Sequence, residues 1–351
     1  MESSNPPQAR TTGEHYDLLR VLAAFMVFAG HQRALTGFRE PDFLGFVSWG
    51  EVAVGTFFAL SGYLVSESWR RDPSVPRYLQ RRALRLLPGL AGVVLFAGFV
   101  LGPICTSLQL GAYFSHPQTY QYLWNVALNI RFALPGVFAT NPVPNVMNGS
   151  LWTLPMEVAC YLVLVVLLRS LARLPAGWLL WPLAAALWTT DFLLPKEAAW
   201  VFYNTSWRMA AHFATYFFLG AALRLAPPPR FAPIPAAMLA AAVLMFTANS
   251  RLGYWCAPLC VALLVIGTAR VSATPSRWVT RYGDLSYGLY LYAFPIQQLV
   301  ISTGLARDYP RRGFVVAWLG IVLCAYLSWR WIESPALRFK PRARPAAGTT
   351  A

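Results

Sequence analysis

Long apolar stretches recur along most of the chain and are separated by short polar or basic segments. A helix needs about 20 residues to cross roughly 30 Å of hydrocarbon. Ten stretches approach that length, at about 15–35, 43–66, 88–108, 151–172, 176–194, 207–225, 232–249, 253–270, 284–305 and 313–332. The pattern predicts an all-α fold, a polytopic transmembrane helix bundle of about ten spans.

Arginine and lysine are concentrated in alternate connecting segments. Cytoplasmic loops of membrane proteins carry an excess of these residues, so the segments rich in them are predicted to be cytoplasmic. They hold Arg70, Arg71, Arg77, Arg81, Arg82, Arg85, Arg169, Arg173, Arg224, Arg230, Arg270, Arg277 and Arg281. We therefore expect both termini in the cytoplasm, with a disordered tail over 1–14, a transmembrane domain over 15–335 and a basic tail over 336–351.

The composition agrees with a membrane protein. Of the 351 residues, 57% are hydrophobic and 12% are charged, and the formal net charge is +15. A soluble domain is typically about 25% charged, so this chain lacks the polar surface that water requires. The basic residues lie at the ends of predicted spans, which argues against a nucleic-acid partner.

Neither the cysteines nor the N-terminus changes this interpretation. The five cysteines include no CxxC pair, and no histidine or carboxylate lies near Cys256 and Cys260, so we expect no metal site and no disulfide framework. Residues 10–35 could instead form a signal peptide. Against this alternative, Glu14 and Asp17 lie just upstream of the apolar core, and no small-x-small cleavage site follows.

The first predicted span carries polar residues that are unusual in a membrane. Its uninterrupted apolar stretch, residues 21–30, would cover only about 15 Å as a helix, so Asp17, Arg20 and His31 must lie in or at the edge of the hydrocarbon. Arg20 and His31 are eleven residues apart, close to three helical turns, and project from nearly the same face. Ionisable residues inside a span mark function by default, and this polar stripe indicates a cavity beside the helix.

The fourth predicted span carries a carboxylate at a similar depth. Glu157 lies about two turns below the outer surface, as His31 does. Such a pair is suited to activate a hydroxyl, with the imidazole as general base and the carboxylate as its orienter. Glu51 and Asp17 are weaker candidates for supporting roles. Structural alternatives stay open: a hydrogen bond between helices for His31 and a salt bridge or helix cap for Glu157.

A basic segment, YLQRRALRLLP, precedes the third predicted span. Arg81 and Arg85 share a helix face, and Arg82 lies beside them. Guanidinium groups recognise phosphate bidentately, so Arg82 and Arg85 are candidates for binding a phosphate-bearing donor. The alternatives are an interfacial helix bound to anionic lipid for this segment and simple pairing with Asp17 for Arg20.

Six segments, in this order and spacing, resemble the membrane-bound acyltransferase-3 family. They read YDLLRVLAAFMVFAGH, VGTFFALSGYLV, YLQRRALRLLP, GSLWTLPMEVACYL, GDLSYGLYLYAFPIQ and WRWIESPALRF, and the resemblance extends from residue 16 to about residue 339. It implies an O-acyltransferase of the bacterial inner membrane. Such an enzyme moves an acyl group, usually acetyl, from cytoplasmic acyl-CoA to a hydroxyl of a cell-envelope or secreted carbohydrate.

The resemblance also implies roles for single residues. The histidine that matches His31 is essential in the family, and the arginine that matches Arg20 belongs to the same motif. The arginines that match Arg82 and Arg85 are implicated in handling the acyl donor. Glu157 matches a recurrent glutamate. We expect direct transfer with His31 as general base, while an acyl-histidine intermediate stays open.

The expected donor is acyl-CoA, as acetyl-CoA, and the expected partners are the lipid bilayer, a carbohydrate acceptor and polysaccharide-assembly proteins. Many family members have a histidine where this chain has Ala293, so no catalytic role is assigned there. Some members continue into a periplasmic hydrolase-like domain. Since this sequence ends after a short basic tail, we expect transfer to be completed by the membrane domain or by a separate protein.

Two other functions fit the same buried charges. A transporter or flippase for an envelope glycan could use them for proton coupling, although transporters often contain inverted repeats and no clear repeat is present here. A non-catalytic scaffold in polysaccharide assembly would leave the charges unexplained.

Overall fold

The computed structural model describes residues 16–172, 176–193, 201–202, 205–228, 231–270 and 283–341. Its ten longest helices in these ranges are α1 (Tyr16–Leu35), α2 (Trp49–Arg71), α3 (Val75–Phe96), α4 (Thr153–Ser170), α5 (Ala176–Leu193), α6 (Trp207–Leu225), α7 (Pro233–Phe246), α8 (Arg251–Ala269), α9 (Ser286–Ser302) and α10 (Pro310–Ser328). Each overlaps one predicted span. The prediction of an all-α membrane helical protein is confirmed.

Five helical segments of the described ranges are long and apolar enough to cross a membrane by length and composition alone. They are Tyr16–Leu35, Val75–Cys105, Gly149–Ser170, Arg251–Ala269 and Pro310–Leu337. Three of them are composite. A π-helical turn, Ala97–Leu101, extends α3 into Gly102–Cys105, and another, Trp329–Glu333, extends α10 into Ser334–Leu337. A 3₁₀ turn, Gly149–Trp152, leads into α4.

Two helices begin more than five residues away from the start that the hydropathy pattern predicts. The α2 helix begins at Trp49 rather than near residue 43, because Asp42–Phe43 and Val47–Ser48 form an antiparallel strand pair. Ser48 then caps the helix, its hydroxyl accepting a hydrogen bond from the amide of Glu51 at 3.1 Å.

The α3 helix begins at Val75, thirteen residues before its predicted start. A proline in its first turn suits a helix start, and Pro88 lies inside the helix instead of opening it. The basic segment that precedes Pro88 is therefore the first part of a membrane helix. It is not a separate helix at the lipid surface.

The α2 and α6 helices approach each other closely through glycine. A Cβ atom on Gly62 would lie 1.9 Å from the carbonyl oxygen of Phe217, and one on Gly220 would lie 2.1 Å from that of Ala59. Small residues allow such contact between membrane helices, where packing replaces the hydrophobic effect. This is the most extensive contact between two helices of the described ranges.

Buried amide side chains join α1 to α9. The amide nitrogen of Gln297 donates to the carbonyl oxygen of Phe28 and to Oε1 of Gln32, each at 2.9 Å. One residue later, Gln298 donates to the carbonyls of Val143 and Val146 and so anchors the long connection before α4. The peripheral helices instead expose apolar side chains, as at Leu239, Phe246, Leu319 and Leu323. Such an outer surface suits contact with lipid.

A second strand pair, Val201–Phe202 with Thr205–Ser206, lies immediately before α6. Short helices, Leu110–Ser115, Pro117–Gln121 and a 3₁₀ turn at Tyr122–Ala127, fold the connection between α3 and α4. Another short helix, Leu305–Asp308, joins α9 to α10. The predicted tail at 1–14 and residues 342–351 of the predicted basic tail lie outside the described residues.

Candidate active site

A cavity of about 390 Å³ opens among α1, α2, α3, α4, α9 and the segment after α10. We call it the first cavity. Five of the seven site residues predicted from the sequence line it: Asp17, Arg20, Arg82, Arg85 and Glu157. His31 and Glu51 are not among its described lining residues. The fold therefore brings the predicted donor-binding arginines and one predicted catalytic carboxylate to the same space.

An ion network forms one wall of the first cavity around Asp284. The Oδ2 atom of this carboxylate lies 2.7 Å from Nη2 of Arg85 and 3.4 Å from Nη1 of Arg20. Arg20 Nη1 is also 3.7 Å from Oδ1 of Asp17. Burial raises the pKa of Asp284, but Arg85 and then Arg20 lower it more strongly, to about 2. The carboxylate is therefore charged at neutral pH, and it fixes both guanidinium groups.

The backbone before Asp284 sets this position. Gly283 has a φ of +91°, and a Cβ atom there would lie 1.9 Å from the indole nitrogen of Trp329. Only glycine suits that combination of backbone conformation and close approach. The Oδ1 atom of Asp284 accepts a hydrogen bond from the Ser286 hydroxyl at 2.5 Å and so links the turn to the start of α9.

The paired arginines predicted to bind the donor have different surroundings. Arg85 contacts Asp284 and also lies 3.5 Å from Oε2 of buried Glu333. Arg82 makes no hydrogen bond or ion pair with a described residue, and its Nε is buried without a partner. Its guanidinium group lies 5.9 Å from the ring centroid of Tyr161. Arg82 is thus the guanidinium group of this pair that can receive an anionic ligand without losing a carboxylate.

Glu157 forms a hydrogen-bonded cluster with two hydroxyl groups. Its Oε1 atom accepts from the Ser61 hydroxyl at 2.8 Å and from the Tyr161 hydroxyl, and those two hydroxyls are themselves 2.8 Å apart. All three residues line the first cavity beside apolar Phe57 and Leu154. A carboxylate and hydroxyls in such surroundings can accept or relay a proton.

His31 lies on the α9 side of α1. Its ring centroid is 5.5 Å from that of Phe294, edge to face, and its Nδ1 is buried without a hydrogen-bond partner among the described residues. The ring of Phe294 also contacts Gly149, where a Cβ atom would lie 2.6 Å from it. Arg20 likewise contacts the segment that leads into α9, as expected for residues on one helix face. No described contact joins His31 to Glu157.

Glu51 belongs to a separate buried cluster around His212. Its Oε1 lies 3.0 Å from Nε2 of His212, whose Nδ1 lies 3.0 Å from Oδ2 of Asp191. Arg208 and Tyr254 also contact Asp191, at 3.1 and 3.0 Å. The cluster joins α2, α5, α6 and α8 away from the first cavity. This geometry favours a structural role for Glu51 over the predicted supporting role in catalysis.

Sequence reasoning gave no role to several residues that line the first cavity. Ser61, Asp284 and Trp329 lie within the quoted motifs, but their contacts come from distant parts of the chain. Lys340, in the predicted tail, lines the cavity too. Burial, and then the positive charges of Arg85 and Arg82, lower the pKa of Lys340 to about 8. The sequence feature that could have indicated Lys340 is its position in the basic tail, beside Arg338, Arg342 and Arg344.

Comparisons with known proteins identify the family of the chain. A family model described as an acyltransferase domain matches residues 15–330. The chain is 28% identical to an O-acetyl transferase of Shigella phage Sf6, across 94% of this chain and 97% of that protein. It is 26% identical to nodulation protein 10 of Rhizobium leguminosarum bv. viciae, across 93% of this chain and 94% of that protein. No solved structure matches it. The chain therefore belongs to the acyltransferase-3 family of membrane enzymes.

Proposed function

We propose that the protein moves an acetyl group from cytoplasmic acetyl-CoA to a hydroxyl of a cell-envelope or secreted carbohydrate, in the bacterial inner membrane. The observation that carries this proposal is the first cavity. It places Arg82, which has no carboxylate partner among the described residues, in the same space as the polar cluster of Glu157, Ser61 and Tyr161. A phosphate-bearing thioester needs both a cationic site and a path into apolar surroundings.

The donor phosphate nearest the pantetheine arm binds at the basic end of this cavity. Arg82 offers a planar fork of donors that fits phosphate, and Lys340 adds a second cation at the edge. Arg20 and Arg85 contribute positive charge while Asp284 holds their positions. The acyl-bearing arm then extends between the apolar side chains of α2 and α4 toward Glu157.

His31 is the proposed general base. A sugar hydroxyl is too weakly acidic to ionise at neutral pH, so a base must take its proton as the oxygen attacks the thioester carbonyl. The new C–O bond forms, the C–S bond breaks, and the coenzyme leaves as a thiolate that is then protonated. No described residue forms a hydrogen bond with Nδ1 of His31, so none competes with the acceptor hydroxyl for that atom.

His31 and the first cavity must come together for this step. Phe294 contacts His31 and Gly149, so we propose that this ring moves when both substrates bind. Glu157 holds two hydroxyl groups through Oε1. It can still orient His31 through Oε2 or accept a hydrogen bond from the acceptor sugar.

The relatives support the reaction class. The relative from Shigella phage Sf6 is named an O-acetyl transferase, and its similarity covers nearly the whole of both chains. Because the family model spans residues 15–330, the matched region includes every residue given a role above except Lys340.

Transfer of radiolabelled acetyl from acetyl-CoA to envelope glycans tests the proposal with purified full-length protein in lipid nanodiscs. His31→Ala should lower the rate at least about 100-fold, since general bases contribute about 10²–10⁴, while abundance in the membrane stays near that of the wild type. Arg169→Gln is a matched control, because Arg169 is exposed and lines no cavity described here. Wild-type transfer by the His31 variant would exclude the mechanism, and unlabelled glycan with the wild type would exclude the function.

A further inference from the structure

A second cavity, of about 430 Å³, adjoins the first at its arginine-rich end. Leu64 lines both cavities. The adjacent residues Lys340 and Pro341 line one cavity each, so the segment after α10 passes between them. The two cavities are therefore adjacent, and a ligand long enough to cross this segment would contact both.

The second cavity carries excess positive charge. Its described lining contains four arginines, Arg71, Arg81, Arg224 and Arg270, against two carboxylates, Glu67 and Asp72. The excess of two positive charges attracts an anion. These arginines come from the ends of four helices that are far apart in the sequence, so the fold, and not a local basic run, creates this charge.

One of these arginines keeps an unsatisfied donor. Arg81 is only 9% exposed, and its Nη1 donates to Asp72 at 2.7 Å. Its buried Nε has no hydrogen-bond partner among the described residues. Buried donors are nearly always satisfied in folded proteins, so this atom indicates that an acceptor oxygen belongs beside it.

An aromatic wall completes the site. The guanidinium groups of Arg224 and Arg270 lie 5.7 and 5.9 Å from the ring centroid of Tyr63. Tyr16 lies 6.0 Å from the same ring. Aromatic rings and guanidinium planes are the surfaces on which proteins stack nucleobases, and arginine also recognises phosphate. Stacking surfaces and phosphate donors together fit a nucleotide better than a lipid headgroup.

We propose that the second cavity binds the adenosine 3′,5′-bisphosphate end of the coenzyme donor. The adenine stacks on the guanidinium groups of Arg224 and Arg270, which pack over the buried ring of Tyr63. Arg71 and Arg81 bind the 3′- and 5′-phosphates. The pantetheine arm crosses the Lys340–Pro341 segment into the first cavity, toward Glu157. This inference rests on the proposed use of a coenzyme A thioester, and it assigns the donor specificity to a site separate from the chemistry.

Direct binding tests the inference without any transfer reaction. Adenosine 3′,5′-bisphosphate is titrated into purified full-length protein in nanodiscs of zwitterionic lipid. Wild type should bind it, Arg270→Gln and Arg81→Gln should each weaken binding at least tenfold, and the control Arg169→Gln should bind like wild type. No binding by wild type, or equal binding by all four proteins, would overturn the inference. Loss of nucleotide binding when phosphatidylglycerol is added to the nanodiscs would also overturn the inference, because it would show that the second cavity binds lipid.

Comparison of two donors separates the inference from the proposed function. Acetyl-CoA and S-acetyl-pantetheine carry the same thioester, but the second lacks the nucleotide. In Arg270→Gln, kcat/KM for acetyl-CoA should fall at least tenfold relative to that for S-acetyl-pantetheine. An equal fall with both donors would overturn the inference, because it would indicate a structural role. If wild type uses neither donor, the proposed function fails, and the binding titration alone then decides what the cavity holds.

Discussion

The arginines that line the first cavity differ in their carboxylate partners. Arg82 and Arg85 are three residues apart in one basic segment, and the sequence offers no reason to separate them. In the structure, Arg85 forms ion pairs with Asp284 and Glu333, whereas Arg82 has no carboxylate partner among the described residues. Arg85 should therefore contribute mainly to stability, and Arg82 mainly to donor binding.

Replacement of Arg82 and replacement of Arg85 should therefore affect different properties, donor binding and stability. Arg82→Gln should raise the KM for acetyl-CoA about tenfold, with little change in thermal stability, since removal of a charged hydrogen bond to the ligand costs about 1.5–3 kcal/mol. Arg85→Gln should lower thermal stability, because breaking a buried ion pair costs about 3–5 kcal/mol. Initial rates and thermal unfolding in detergent measure the two effects.

The double variant Arg85→Gln with Asp284→Asn is the control for the stability effect. Without Arg85, Asp284 keeps only its longer ion pair with Arg20 at 3.4 Å among the described residues, so removing the charge of Asp284 as well should restore part of the lost stability. A double variant less stable than Arg85→Gln alone would contradict the ion-pair explanation.

Lys340 should make donor binding depend on pH. Its pKa is lowered to about 8 by burial and by Arg85 and Arg82. The ammonium group is charged below that pH and loses its charge as the pH rises through it, so the KM for acetyl-CoA should increase between pH 7 and pH 9. Lys340→Gln should show a higher KM at pH 7 and a flatter profile. A profile identical to that of the wild type would exclude Lys340 from the donor site.

Among the elements, α2 and α6 depend on each other most closely. Gly62 and Gly220 allow the two backbones to touch, because any side chain there meets a carbonyl oxygen. The same helix α2 carries Ser61 into the first cavity and Tyr63 into the second. A change in the spacing between α2 and α6 would therefore disturb both cavities.

Gly220→Ala should reduce the amount of folded protein in the membrane, since its Cβ would lie 2.1 Å from the carbonyl oxygen of Ala59. Gly111→Ala is a matched control, because a Cβ atom there has nothing within 4 Å. Abundance and elution as a single species in size-exclusion chromatography provide the measurement. Equal abundance of the two variants would show that the α2–α6 contact tolerates a methyl group.

The cluster around His212 contacts α2 near its N-terminal end, at Glu51. It joins α2 to α5, α6 and α8 through Glu51, Asp191 and Arg208. Such a buried network favours one arrangement of the helices, since partial pairing would leave a charge unsatisfied. Glu51 thus positions the helix that carries Ser61, although it lies outside the first cavity.

The whole molecule has two unlike ends. Arg20, Arg82, Arg85, Arg224 and Arg270 surround the two cavities at one end. The long connection before α4 is anchored near the C-terminal end of α9 at the other. The excess of arginine predicts that the cavities face the cytoplasm, where a soluble coenzyme would enter.

Single cysteines in a cysteine-free variant test this orientation. Arg307→Cys, near the start of α10, should react with a membrane-impermeant maleimide in intact spheroplasts, whereas Arg169→Cys, at the end of α4, should react only after the membrane is opened. Both side chains are exposed, so access depends on the side of the membrane. The reverse pattern would place both cavities outside and would contradict a cytoplasmic donor.

Much of the fold could be predicted because membrane helices are local in sequence. The α6 helix begins and ends at the predicted residues, 207 and 225, and α1 differs by one residue at its start. The predicted boundaries of α2 and α3 were wrong, because hydropathy alone does not mark where these two helices begin and end. Charged residues extend both α2 and α3 beyond their apolar stretches, since helix hydrogen bonds continue into the polar interface.

The sequence by itself determined the helices, the family motifs and the clustering of positive charge, because each depends on residues that are near one another in the chain. Only the tertiary structure decided which charges are neutralised. Asp284 is 199 residues from Arg85, and Ser61 is 96 residues from Glu157. Ion pairs and hydrogen bonds of that kind depend on how helices pack, and no local pattern encodes them. The second cavity, and the lack of a carboxylate beside Arg82 among the described residues, follow from that packing alone.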